Sequence, residues 1–262
     1  MAWILDVDGV VWLAGDPIPG SPQAIRRLRD AGERVVFLTN NSGPTLEEYA
    51  RLLRAADVEA GPDDLATSAQ AAASLLDPGT RAGFVGGAGI RQALESRGVE
   101  VVRLTEHPDA VVVGRSVELD YDELAAAATA VRDGARFVAT NTDPTYPTGR
   151  GPVPGAGAVV AFVAAAAGRQ PEVAGKPHRP VAQLVQGRYG TPQVVIGDRA
   201  DTDGAFAAAV GAPFALVLSG STRRDQVPHD PAPDVVAEDL AVAVDQLLAG
   251  GNRAAAEGRA VP

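Results

Sequence analysis

The chain has 262 residues, a formal net charge of −10, 46% hydrophobic and 21% charged side chains, and no cysteine. The excess of acid argues against a non-specific nucleic-acid or anionic-membrane surface, since both need clustered cations, and the lack of cysteine excludes a disulfide framework or a thiolate metal site. No apolar run reaches the ~18 residues of a bilayer span, and Met1 leads straight into a strand-like segment without a basic n-region, so a cytoplasmic location is the expectation.

Residues 2–7 read as a buried strand that runs into Asp6-Val7-Asp8-Gly9. Alternate residues of an extended chain point to one side, so Asp6 and Asp8 can share a small volume at the strand's end. Carboxylates crowded in that way repel unless a cation sits between them, and oxygen-only ligands in a tight turn suit Mg²⁺. The same residues also read as a strand ending in an Asx-Gly turn. A helix follows from Ser21 to Ala31 with Ala24, Ile25 and Leu28 at helical spacing, and then a strand over residues 34–38. That strand ends in the polar run Thr39-Asn40-Asn41-Ser42-Gly43. Thr45 opens another helix, with Glu47 and Glu48 in its first turn and Tyr49, Leu52 and Leu53 expected on one face. Strands alternating with helices predict an α/β fold with a Rossmann-like, doubly wound parallel sheet.

Asp77-Pro78-Gly79 breaks the pattern. Strands are expected over 82–85, 99–104, 110–113 and 136–140, with helices over 89–96, 121–131 and 156–167. These form a smaller α/β unit, residues 79–174, inserted into a core made of residues 1–78 and 175–262. Within it, Gly86-Gly87-Ala88-Gly89 reads as a turn; it lacks the third glycine and downstream acid of a dinucleotide loop. The Pro/Gly-rich stretch Asn141 to Gly155 is too elaborate for a simple connector. After Gly175-Lys176-Pro177 come a helix over 180–189 and a strand over 193–196 that enters Gly197-Asp198 and reaches Asp203. A further helix, a strand over 215–218 and a helix over 240–248 follow, and the small, polar tail from Gly250 is expected to fray.

Three strand ends therefore carry polar clusters: Asp6/Asp8, Thr39–Ser42 and Asp198/Asp203. Ligands of an open parallel sheet bind beyond the carboxyl ends of its strands, so the three can converge. Each has a local explanation as a cap or a turn, but together they place four acids at one topological position. Such a set needs a divalent cation and a fixed ammonium. Lys176 is the one lysine among 23 cationic side chains, all the others being arginine. A compact ammonium can meet a phosphoryl oxygen and a carboxylate at once, where a planar guanidinium would impose a fork. The chemistry this implies is phosphoryl transfer, with Asp6 attacking phosphorus and Asp8 serving the leaving group and then water.

The motifs LDVDGVVW, FLTNNSGPT, ATNTDPTYPTGRGPVPGAG, VAGKP and VIGDRADTDGA together resemble the haloacid dehalogenase superfamily. More narrowly they resemble its capped 4-nitrophenylphosphatase/NagD-like phosphatases. The resemblance implies a Mg²⁺-dependent phosphatase for small phosphomonoesters of sugar, glycerol, glycolate or cofactor type, with Asp6 as nucleophile and Asp8 as acid/base. It also implies Mg²⁺ on Asp6, the Asp8 carbonyl and Asp198, phosphate held by Thr39, Asn40, Asn41 and Lys176, and Asp203 supporting the metal. Tyr146 matches a substrate-facing position in the inserted unit. The chain departs from many relatives at Gly43-Pro44, where they carry a cation. The expected partner is a small phosphorylated metabolite, with a homodimer admitted and neither nucleic acid nor membrane. A phosphomutase or phosphotransferase of the same superfamily, and a non-catalytic phosphate-responsive module, are the alternatives. A dehalogenase would need neither Mg²⁺ nor a second acid, so Asp8 and Asp198 count against it.

Overall fold

The computed structural model describes residues 1–227 and 230–256. Its larger sheet is six-stranded and wholly parallel. The order is Val235–Ala237, Phe214–Val217, Val194–Gly197, Ala2–Asp6, Arg34–Thr39 and Leu65–Thr67. Ala2, Trp3, Ile4 and Leu5 are all buried, as befits a central strand covered on both faces. One face carries Trp3, Leu5, Phe37 and Ile196 against helices Ser21–Asp30, Leu46–Ala55 and Leu240–Ala256. The other carries Ile4, Val36 and Val195 against Arg179–Tyr189 and Ala205–Val210.

A second parallel sheet has the order Glu172–Val173, Arg136–Ala139, Ala110–Val113, Arg81–Val85 and Glu100–Val101. All the residues of this sheet and its helices lie between the two halves of the first. The two meet along an alanine-rich seam, where Ala69, Ala71, Ala72 and Ala73 share a core with Ile90, Ala93 and Leu94. Beside it, Gly89 N donates to Gly43 O at 2.8 Å. Backbones approach so closely there that a Cβ on Gly87 would lie 2.7 Å from Gly43 Cα. The Gly43-Pro44 segment is thus a docking strip against the Gly-Gly-Ala-Gly turn.

Several details differ from the sequence expectation, among them the edge strands Glu172–Val173 and Val235–Ala237, which it did not include. Strand Leu65–Thr67 and helix Ser68–Ala73 escaped it, because an alanine run has no amphipathic period. Their local signature is a capping box, Thr67 with Gln70. On the second helix Leu52 is 50% exposed, and Ala50 joins Tyr49 and Leu53 in the core. A rotation of 100° per residue carries Leu52 past the edge of that stripe. The strand expected over 99–104 is only Glu100–Val101, since Leu104 turns back over Gly83 and fills the space its missing side chain leaves. The last helix runs on through Gly250 to Ala256, into an alanine-rich stretch of good helix formers; residues 257–262 of the expected frayed tail lie outside the described residues.

Candidate active site

The strand ends meet because the three parallel strands that bear them are neighbours. Ala2–Asp6 lies between Val194–Gly197 and Arg34–Thr39, so Asp6, Thr39 and Asp198 leave the sheet at the same edge. Above them lies a cavity of about 590 Å³, whose far wall comes from the second sheet and the Asn141–Gly155 stretch. That stretch is built round a short antiparallel ribbon, Thr145–Tyr146 with Val153–Pro154.

Lys176 is only 5% exposed. Its Nζ donates to Asp6 Oδ1 at 2.7 Å, Asp203 Oδ1 at 2.6 Å and Leu38 O at 3.3 Å. Burial opposes its charge, but the carboxylates of Asp203 and Asp6 outweigh that and hold the ammonium above its ordinary pKa. One ammonium does not balance the site, for Asp6, Asp198 and Asp203 each bring a carboxylate oxygen to within 4.8 Å of the others. Burial pushes the Asp6 carboxyl well up; Lys176 pulls it down, and Asp203 and Asp198 push it up again. Burial and the Asp203 charge push Asp198 up to about 6. Carboxylates that resist ionising together, offering oxygen donors alone, fit a hard divalent cation. The Asp198 carboxylate is also clasped: Ser221 N donates to it at 2.5 Å, and a Cβ on Gly9 would sit 2.6 Å from its carboxyl carbon. At a φ of +83° Gly9 also holds a backbone that side chains disfavour, so glycine is needed there twice over. Both Asp203 oxygens have protein partners, Lys176 Nζ and Arg199 N.

Asp8 lines the same cavity, but its carboxylate turns away from that trio. Its Oδ1 accepts from Trp12 Nε1 at 3.0 Å and from the Tyr146 hydroxyl at 3.2 Å. Burial raises its pKa, and these two hydrogen bonds hold it back only in part. A buried carboxyl whose pKa is raised in this way is suited to acid–base work.

The polar run after the second strand divides its labour. Thr39 is buried and its Oγ1 accepts from Asn41 N at 3.0 Å. Asn41 Oδ1 accepts from Gly43 N at 3.1 Å. Asn40 is a strut: its Nδ2 donates to Asp143 Oδ2 at 2.9 Å and its Oδ1 accepts from Lys176 N at 2.8 Å. Its carbonyl accepts from Ser68 Oγ and Asn141 Nδ2. The side chain expected on phosphate is therefore spent on joining the lysine connector to the second sheet's loops.

Four further side chains take part, of which Trp12 and Arg199 lie inside the motifs LDVDGVVW and VIGDRADTDGA, and Ser221 and Arg115 in none. Trp12 orients Asp8, and Ser221 holds Asp198. Arg199 pairs with Asp143 at 3.1 Å and Asp201 at 2.7 Å, tying the third strand end to the second sheet's loop. Arg115 lies across the Tyr146 ring, its Cζ 4.0 Å from the ring centroid. The signal that could have found Arg115 is its place just past Ala110–Val113, at a strand end like those of the first sheet.

The sequence model of the haloacid dehalogenase-like hydrolases matches residues 3–100, and that of a HAD-hydrolase-like family matches residues 173–243. The chain is 38% identical over 247 residues to the D-glycerol 3-phosphate phosphatase of Mycobacterium tuberculosis, covering 90% of this chain and 69% of that protein. A crystal structure of the mycobacterial enzyme with magnesium superposes with a TM-score of 0.85, over 91% of this chain and 74% of that one. The chain is also 33% identical over 254 residues to the acid sugar phosphatase of Staphylococcus aureus, covering 94% and 97% of the two. A hypothetical protein from Pyrococcus horikoshii gives a TM-score of 0.87 at 32% identity, covering 94% of this chain and 99% of that one. The chain belongs to the haloacid dehalogenase-like hydrolases.

Proposed function

We propose that the chain is a Mg²⁺-dependent phosphatase that hydrolyses small phosphomonoesters through an aspartyl phosphate on Asp6. The observation that carries this reading is the separation of two carboxyl roles inside one cavity. Asp6 is fixed by a buried ammonium beside two further acids, while Asp8 is held apart from them by hydrogen bonds from Trp12 and Tyr146. Asp6, Asp198 and the Asp8 carbonyl would hold the metal, with Asp203 keeping Lys176 in place. When bound, Mg²⁺ neutralises the crowded carboxylates and the phosphoryl oxygens.

Lys176 grips one oxygen of Asp6, which leaves the other to attack phosphorus. Asp8 gives its proton to the departing ester oxygen, so the alcohol leaves neutral. The ionised Asp8 then takes a proton from a water that attacks the same phosphorus, releasing phosphate and restoring both carboxyls. Thr39, with the amides beyond it, and Lys176 would hold the phosphoryl oxygens. Asn40 and Asn41 would serve mainly by shaping that loop.

Residues 1–78 and 175–262 form the catalytic core in this reading, and residues 79–174 a cap that presents the leaving-group wall of the cavity. The relatives named for glycerol phosphate and acid sugar phosphates support a small polar alcohol as leaving group. No described helix is long and apolar enough to cross a membrane, and we take the enzyme to act in the cytoplasm. The reading is tested by hydrolysis of 4-nitrophenyl phosphate with Mg²⁺ and after chelation. Turnover that survives chelation, or that is retained by Asp6→Asn, contradicts it.

A further inference from the structure

Three cations line the cavity, and two are already spent. Lys176 is shared by Asp6 and Asp203, and Arg199 by Asp143 and Asp201. Arg115 has no carboxylate partner among the described residues, and its Nε is buried with no hydrogen-bond partner there. Its one evident contact is the face of Tyr146. That ring's hydroxyl reaches Asp8, the group that protonates the leaving oxygen. Whatever is attached to that oxygen therefore emerges beside the ring on which the guanidinium lies.

The position is also rigid. Gly114 N donates to Val85 O at 2.9 Å, and a Cβ on Gly114 would lie 2.5 Å from Ser42 Oγ and 2.7 Å from Thr140 Oγ1. Arg115 thus springs from a strand end packed against the loop that bears Thr39. A rigid, partly desolvated guanidinium with donors to spare is a site for a planar or tetrahedral anion. The phosphoryl group under attack is served from the other side by Lys176 and Thr39, so the anion in question is a second one.

We infer that Arg115 selects the leaving group, binding a second anion on the alcohol, either a carboxylate or another phosphate. The preferred substrates are then phosphomonoesters of small acidic alcohols. The inference rests on the phosphatase reading above.

The test compares three esters of similar size: hydroxyethyl phosphate, phosphoglycolate and ethylene glycol bisphosphate. The wild type should favour at least one of the charged pair over hydroxyethyl phosphate in kcat/KM by about 10- to 100-fold, the range of a hydrogen bond to a charged group. Which of the two leads tells carboxylate from phosphate. Arg115→Gln should erase that preference, read as the ratio of kcat/KM for the charged esters to that for hydroxyethyl phosphate. Arg115→Lys should keep part of it, which separates lost charge from lost packing on Tyr146. Equal turnover of all three esters by the wild type overturns the inference and leaves the phosphatase reading standing, as does an equal loss on all three in Arg115→Gln. No turnover of any ester, 4-nitrophenyl phosphate included, would overturn both.

Discussion

Lys176→Met removes the ammonium while keeping an unbranched stem in a site that is 5% exposed. The carboxylates of Asp6 and Asp203, within 4.8 Å of each other, then face one another without a counter-charge. At an effective dielectric of about 20, two unit charges at that distance repel by roughly 3.5 kcal/mol. Removing one partner of a buried pair costs about 3–5 kcal/mol by mutational precedent, in the same range. In metal-free protein at neutral pH this should lower the melting temperature by roughly 10 °C, at about 2–4 °C per kcal/mol for a chain of this size. Mg²⁺ should recover part of that loss, because a divalent cation can neutralise the same carboxylates. Activity should fall further than stability accounts for: about 3 kcal/mol lost from the transition state is roughly a 10²-fold drop in kcat at saturating Mg²⁺. Melting with and without Mg²⁺, alongside 4-nitrophenyl phosphate turnover, reads both effects. A variant that melts with the wild type and turns over within about threefold of it would refute the role given to Lys176.

Asp8→Asn should keep the wild-type Mg²⁺ dependence of melting and lose roughly 10²–10⁴ in kcat, the range of general acid–base catalysis; a parallel loss of metal response would place Asp8's carboxylate on the metal instead. Burial and Asp203 raise Asp198 in the folded, metal-free chain from 3.8 to about 6, so folding binds a proton there more tightly than unfolding does. Stability from this group is therefore lost as pH rises between those values and stays lost above them. The Mg²⁺-induced rise in melting temperature should accordingly be small near pH ~5 and large near pH ~8, and a pH-independent rise would contradict the linkage. Tyr146→Phe deletes the hydroxyl that holds Asp8 below the pKa burial alone would give it. On 4-nitrophenyl phosphate, whose leaving group needs no proton, the acidic limb of the kcat profile should move to higher pH; an unmoved limb would mean the hydroxyl does not act on Asp8.

The convergence of the strand ends was legible because its signals are local. An apolar strand that runs into an acid or a polar run is readable at Asp6, Thr39 and Asp198, and parallel-sheet topology brings such ends together. Lys176 stood out through composition, as one lysine among arginines. Arg115 had no mark in composition, being one arginine of many, and only its place at a strand end of the second sheet, which brings it over Tyr146, sets it apart. The bracing contacts of Asn40 were not legible either, since a polar side chain at a strand end reads alike whether it binds a ligand or braces a neighbouring loop. The geometry that separates Asp6 from Asp8 was not legible, because Trp12 and Tyr146, which hold the Asp8 carboxylate, are far from it in pattern or in sequence. The helix Ser68–Ala73 was lost to its composition, although those alanines are what let the two sheets pack so closely.

The central claim is a covalent phosphoryl group on Asp6. Mixing enzyme, Mg²⁺ and a fast substrate, quenching in acid within the first turnover and mapping the peptides by mass spectrometry tests it directly. The account predicts one phosphoryl group on the peptide that carries Asp6, appearing before product phosphate reaches steady state and absent from Asp6→Asn. A phosphoryl group on another residue during active turnover would contradict it.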